Sequence, residues 1–153
     1  MDFVYDNTGK PYALKYDGTL YYYVLNLQGD VISIVTHWGE SYGSYTYDAW
    51  GNVISQSGSI ASINPIRYRG YYYDSETGRY YLGSRYYDPQ VRRFVNADST
   101  DSALSAGFLG ANLFAYVQNC PTMYSDSIGT WPSLSTVLFA GAIVATAVAV
   151  TAA

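Results

Sequence analysis

The 153-residue chain reads as a mainly β protein made of antiparallel hairpins. Three observations lead there. Tyrosine is in large excess, 19 residues, and 17 of them fall within residues 1–87, where Tyr and Val stand in short runs of the strand-forming kind. Gly, Asn and Asp interrupt those runs every eight to twelve residues or so, the spacing of short strands joined by turns. No stretch of this region keeps a helical period for ten residues.

Each element follows in order. The run Leu20-Tyr21-Tyr22-Tyr23-Val24-Leu25 meets a turn at Gln28-Gly29-Asp30 and continues as Val31-Ile32-Ser33-Ile34-Val35-Thr36, a hairpin with Gly in its loop. Ser44-Tyr45-Thr46-Tyr47, the turn Asp48-Ala49-Trp50-Gly51-Asn52 and Val53-Ile54-Ser55 repeat the arrangement. So do Tyr71-Tyr72-Tyr73, the turn Asp74-Ser75-Glu76-Thr77-Gly78 and Arg79-Tyr80-Tyr81-Leu82. A Tyr-Asp dipeptide recurs at residues 5–6, 16–17, 47–48, 73–74 and 87–88, and Gly9, Gly51 and Gly78 follow three of these. The unit has a physical sense: Tyr ends a strand, the Asp carboxylate accepts a backbone N–H two residues on, and Gly takes a positive φ. Stacked units of this kind bury an aromatic face, so most tyrosines are read as sheet packing. The competing use is as aromatic platforms for a sugar or for bases.

After Tyr87 the character changes. Residues 88–126 are rich in small and polar residues and punctuated by Pro89, Gly107, Gly110 and Pro121, and Leu109–Val117 suits a short helix or a strand equally. Residues 127–153 carry no charge. Leu134–Ala153, about 30 Å if helical, is long enough to cross a bilayer, but no Lys or Arg flanks it to orient it. The readings are a membrane contact through 134–153, an apolar segment shielded by protein, or the truncated start of a next domain. The first residues, Met1-Asp2-Phe3-Val4-Tyr5, have neither the basic start nor the apolar core of a signal peptide.

Composition removes several function classes. Charged residues are 13% of the chain, about half the usual share, while 49% is apolar, which is unlike a disordered chain. A net charge of -4 and a pI near 4.6 argue against nucleic-acid binding. One Cys and one His exclude a disulfide framework, a Cys-rich zinc site and a histidine metal cluster. His37 sits at a strand end beside Trp38 with no nucleophile elbow, and Cys120 precedes Pro121 with nothing basic nearby in sequence. There is no phosphate loop or dinucleotide fingerprint, so no cofactor is expected. Carboxylates remain: Asp88, Asp98, Asp101 and Asp126. Two carboxyls held close share a proton, the device by which aspartic proteases activate water.

The stretch Tyr68-Arg69-Gly70-Tyr71-Tyr72-Tyr73-Asp74-Ser75-Glu76-Thr77-Gly78-Arg79-Tyr80-Tyr81-Leu82-Gly83-Ser84-Arg85-Tyr86-Tyr87-Asp88-Pro89 closely resembles the signature of the RHS repeat-associated core domain. That family takes in YD-repeat proteins, the C subunits of insecticidal toxin complexes and the teneurin relatives. Its later pieces are matched by Arg93-Phe94-Val95-Asn96-Ala97-Asp98, by Asn112-Leu113-Phe114-Ala115-Tyr116 through Asn119-Cys120-Pro121, and by Asp126-Ser127-Ile128-Gly129 in place of D-P-x-G. The resemblance implies terminal YD-type repeats over 1–65, a core over 66–131 and an apolar tail over 132–153 with a C-terminal helix. It implies repeats wound into a β-sheet shell, an irregular core that plugs one end, and an aspartyl autoprotease that cuts just past D-P-x-G to release an enclosed toxin. On this chain the implied catalytic residues are Arg85, Asp98 and Asp126, and the implied cleavage region is Thr130 and Trp131. The implied partners are the rest of the shell and a C-terminal toxin, with no nucleic acid and no metal. The implied location is secreted or at a bacterial cell envelope.

Three departures stand out. Arg92 replaces the Gly before Arg-Phe, Cys120 replaces the second Asn of N-N-P, and Ser127 replaces the Pro of D-P-x-G. Pro restricts the residue before it, so Ser127 is expected to loosen Asp126 and impair cleavage. The alternative function is a non-enzymatic surface module that binds glycans through its tyrosines.

Overall fold

The computed structural model describes residues 1–98 and 112–130. Within them the protein is mostly antiparallel β, in two sheets. The first is a six-stranded meander, β1 (Asp2–Tyr5), β2 (Pro11–Tyr16), β3 (Thr19–Leu25), β4 (Val31–Val35), β5 (Ser41–Tyr47) and β6 (Val53–Ser57), in sequence order. A one-turn helix, α1 (Ser59–Ile63), follows it. The second sheet holds β7 (Tyr72–Asp74), β8 (Arg79–Tyr81), β9 (Tyr86–Asp88) and β10 (Arg93–Phe94), ordered β10-β9-β8-β7. Neither sheet closes into a barrel. The hairpins expected from residues 20–36, 44–55 and 71–82 are all present. The expected C-terminal helix and the membrane-length tail lie outside the described residues; of Leu109–Val117, residues 109–111 lie outside them too, and residues 112–117 form turns with one isolated bridge, Ala115 to Arg93, in place of the helix or strand expected there. No helix among the described residues is long and apolar enough to cross a membrane.

The hairpin turns explain the spacing of the sequence. Turns 6–10, 26–30, 36–40 and 48–52 share one backbone pattern, in which the first residue's N–H donates to the fifth residue's carbonyl and the fourth residue's N–H to the first residue's carbonyl. The fourth residue is always a positive-φ glycine: Gly9, Gly29, Gly39 or Gly51. At Asp6, Asn26 and Asp48 a side-chain oxygen accepts two backbone N–H groups, those two and four residues on, at 2.8–2.9 Å. Thr36 holds the same place with a shorter side chain, and its hydroxyl finds no such partner. Asp74 and Asp88 likewise accept from Glu76 and Gln90. Asp17 differs: it is at φ 48 in a two-residue Asp-Gly turn, the tight turn whose twist matches paired strands. The register slips by one residue at Val4/Tyr5, Val24/Leu25, Ile34/Val35 and Thr46/Tyr47, so four of the five pairings in the larger sheet carry a bulge.

The larger sheet buries one face. Leu14, Tyr21, Tyr23, Val31, Ile34 and Tyr45 pack with Ile60, Ala61 and Ile66. A second core joins Tyr68, Tyr71, Tyr80, Leu82, Tyr87, Phe94, Tyr116 and Val117, and Tyr47 packs against both. The two sheets meet at turn 48–52. There Tyr68, Tyr87 and Tyr80 donate their hydroxyls to the carbonyls of Ala49, Trp50 and Gly51 at 2.8, 2.8 and 2.9 Å, and Asn52 Nδ2 donates to Pro89 O at 3.1 Å. Burial raises the hydroxyl pKa of all three tyrosines, so each remains a neutral donor.

Gly51 is the tightest point of this joint. It sits at φ +90, and a Cβ built there would lie 2.7 Å from the Tyr68 ring. Gly51→Ala is therefore expected to destabilise the fold by about 2–4 kcal/mol, from left-handed strain and overpacking together. Urea unfolding of the two proteins side by side measures it.

Candidate functional site

The candidate site forms where the second sheet meets the chain's return past residue 112. Arg85 enters β9 and is 5% exposed. Its guanidinium lies 3.5 Å above the Phe94 ring of β10, so an apolar wall holds it flat while its donors are spent at the edges. Nε donates to Gly129 O and Nη1 to Leu113 O at 3.0 Å. Nη2 faces two carboxylates, Asp98 Oδ2 at 3.0 Å and Asp126 Oδ2 at 3.5 Å. The structure thus brings together Arg85, Asp98 and Asp126, which lie far apart in sequence.

Asp98 is placed by its own backbone, since its N–H donates to Leu113 O at 3.0 Å. One residue, Leu113, therefore takes a bond from Asp98 and another from Arg85. Asp126 is 2% exposed. Its Oδ1 accepts the Gly129 N–H at 2.9 Å, while Oδ2 has no hydrogen-bond donor among the described residues, only the ionic contact with Arg85. Burial pushes the Asp126 carboxyl above its ordinary value, and Arg85 and the Ile128 and Gly129 amides only partly offset this. Burial also lowers the Arg85 pKa, against the opposing pull of Asp98 and Asp126. A buried carboxyl biased towards its protonated form therefore sits beside a second carboxylate on the same guanidinium, which is the composition of an acid–base pair.

The turn that follows is equally fixed. Gly129 is at φ +72, and a Cβ there would lie 2.7 Å from Ser84 Oγ and 3.1 Å from Leu82 O. Ser84 Oγ donates to Ile128 O at 2.8 Å. Thr130 is the last described residue of this segment, and Trp131 lies outside the described residues. The expectation that Ser127 leaves Asp126 loose is not met. Asp126 is buried and bonded through its carboxylate and through both backbone groups, as Tyr71 Oη donates to its carbonyl at 2.8 Å and accepts its N–H at 3.2 Å.

The other sequence candidates fall elsewhere. Asp88 caps its own turn and faces Arg79 at 3.5 Å, and Asp101 lies outside the described residues. His37 rests against Trp38, ring centroids 4.2 Å apart, in a hairpin turn. Arg92, in place of the family's Gly, takes φ 61, the left-handed conformation that Gly adopts without strain, with its guanidinium 5.4 Å above Trp50. Sequence reasoning missed Tyr71, Arg69 and Gln28. Arg69 donates to Gln28 O and Pro121 O, and Gln28 Nε2 donates to Thr122 O, so a repeat turn pins the strand of chain leading to Asp126. The recurrence of Tyr could not single these out.

A meander of bulged Tyr-Asp hairpins running into a tyrosine-cored second sheet defines a YD-repeat shell protein. The chain belongs to the Teneurin YD-shell family, whose model matches residues 1–116. It is 38% identical over 130 residues to the tRNA3(Ser)-specific nuclease WapA of Bacillus spizizenii, covering 84% of this chain and 6% of that protein. It is 42% identical over 65 residues to the toxin protein Tse5 of Pseudomonas aeruginosa, covering 42% of this chain and 5% of that protein. The Photorhabdus luminescens Tc holotoxin pore matches with a TM-score of 0.68 at 28% identity, over 78% of this chain and 5% of that chain. The chain thus spans a small fraction of the toxin-related shell proteins it resembles.

A stability test follows from the buried carboxyl. The folded chain keeps the Asp126 proton at pH values where the unfolded chain, with an ordinary value of 3.8, has released it. Folding stability from this group is therefore largest at low pH and declines as pH rises upward from about 3.8. Urea midpoints of wild type and Asp126→Asn across a pH series are expected to show the wild type losing ground to the variant as pH rises through that interval.

Proposed function

We propose that the chain is the closing stretch of a YD shell, with repeats over 1–65 and the core over 66–131, and that its core is an aspartyl self-cleavage centre acting at Thr130–Trp131. The observation that carries this is the single Arg85 guanidinium, buried against Phe94, bridging Asp98 and Asp126 while its Nε holds Gly129 O in the turn that leads to Thr130. The chemistry needs one carboxylate to take a proton from water as the oxygen attacks the peptide carbonyl. It needs the other, protonated, to deliver a proton to the departing amide nitrogen. The C–N bond breaks, a carboxyl and an amine form, and one water is consumed. Burial of Asp126 favours it as the proton holder, and the 3.0 Å contact with Arg85 favours Asp98 as the base.

In this reading the shell encloses a C-terminal toxin and the product acts outside the cell that makes it, secreted or at the envelope. The toxin names of Tse5 and of the Photorhabdus luminescens Tc holotoxin support this. The glycan-platform alternative would fall to exposed rings such as Tyr12, Tyr72, Tyr81 and Tyr86, because the hydroxyls of the buried Tyr45, Tyr68, Tyr80 and Tyr87 are committed to backbone acceptors.

Intact mass of the expressed 153-residue chain is the direct test. The wild type is expected to appear as a product ending near Thr130. Asp126→Asn and Asp98→Asn are expected to remain whole, with loss of about 10²-fold or more in rate, as for removal of a positioned acid or base. A wild-type chain that stays at full mass under all conditions would sink the proposal.

A further inference from the structure

We propose that Tyr71 is a positioning residue for Asp126, a role that rests on the self-cleavage function proposed above. The Tyr71 ring is buried in the second core, with the Tyr68 and Tyr80 ring centroids at 6.1 and 6.4 Å. Its backbone is fixed at both ends, as Tyr71 N–H donates to Tyr68 O and Tyr71 O accepts the Arg67 N–H. A rigid ring thus carries the hydroxyl to one defined point. That point is the backbone of Asp126.

The hydrogen count at Tyr71 Oη closes. A phenol has one proton and two acceptor sites. The proton goes to Asp126 O at 2.8 Å, one acceptor site takes the Asp126 N–H at 3.2 Å, and the other faces Tyr116 Oη at 3.2 Å, which donates to it. Two polar groups of one residue, from the peptide planes on either side of its Cα, are held by a single oxygen. Both planes are thereby oriented, and the carboxyl they carry is aimed at Arg85. This is the restriction that a proline after Asp126 would otherwise impose on it, and it explains how Asp126 stays buried with Ser127 next in the chain. Tyr71 touches none of the reacting atoms. It acts through Asp126.

The test compares the fraction of chain cut over time, by mass, during cell-free synthesis of the full chain. Tyr71→Phe keeps the ring in its packing and removes the hydroxyl. It is expected to slow cleavage about 10²-fold, the scale of a small misplacement at a reacting group. Tyr116→Phe, which leaves both bonds to Asp126, is expected to cut at close to the wild-type rate. The decisive readout is rescue: Ser127→Pro in the Tyr71→Phe chain is expected to restore cleavage, which replacement of a merely structural hydroxyl would not allow. Ser127→Pro alone is expected to leave the rate unchanged, because Tyr71 already orients Asp126. A marked acceleration there would overturn the role even if Tyr71→Phe fails to fold. Tyr71→Phe cutting at the wild-type rate, or a folded Tyr71→Phe that proline does not rescue, would overturn it while leaving self-cleavage standing. A wild-type chain that stays whole would overturn both.

Discussion

A buried phenol must give its proton to something, and most of this structure is arranged around that requirement. A hydroxyl left unpaired in an apolar core costs about 1–3 kcal/mol, and this chain buries many. Tyr23 donates to Asn64 Oδ1, Tyr45 to Ala61 O and Tyr47 to Val31 O within and beneath the larger sheet. Tyr68, Tyr80 and Tyr87 donate to three successive carbonyls of one turn in that sheet. The rings supply apolar area and the hydroxyls supply direction, so the two sheets are held in a fixed relation instead of merely adhering. Asn64, fully buried, is the counterpart on the polar side: it accepts from Tyr23 and the Ile66 N–H and donates to Tyr45 Oη and Ile66 O.

The same logic, with charge in place of a phenol, organises the candidate site. Arg85 is a buried cation whose Nε and Nη1 donate to two carbonyls, while its Nη2 makes ionic contact with two carboxylates. Burying one cation between two carboxylates leaves a net negative charge, and protonation of one carboxyl relieves it. The fold thereby places a carboxyl biased towards its protonated form beside a turn that Gly129 and Ser84 clamp. Further out, Asp30 and Arg69 play a supporting part. Their buried contact at 3.6 Å and the Arg69 N–H bond to Asp30 fix a left-handed Arg69, whose guanidinium reaches the carbonyl of Pro121. A repeat turn and the approach to Asp126 are thus mechanically joined.

What could be read in the sequence was what is written locally. The Asx turns at Asp6, Asp48, Asp74 and Asp88, the positive-φ glycines after the first three and the strand alternation depend on neighbours a few residues away, and these followed from residue chemistry alone. β1, β2 and the short helix α1 carried weaker local signals: α1 has no side-chain cap and no charge to mark its ends. The left-handed run Val117-Gln118-Asn119, at φ 43, 51 and 59, runs against local preference and is imposed by the packing of Tyr116 and Val117 in the second core. Arg85, Asp98 and Asp126 were named through resemblance, since no spacing rule brings residues so distant together. The anchoring of Asp126 was not legible for a related reason. The hydroxyl that holds Asp126 comes from 55 residues away, and nothing near Asp126 announces it.

The bulges at Val4/Tyr5, Val24/Leu25, Ile34/Val35 and Thr46/Tyr47 have a consequence for form. A bulge bends its strand and adds right-handed twist. Here one recurs at nearly every crossing, always against a turn of the same construction. Curvature is consequently metered out one hairpin at a time, each contributing its increment without reference to the others. A sheet ruled this way is an arc whose length is counted in hairpins, and it can gain or lose them by duplication or deletion while its radius stays the same.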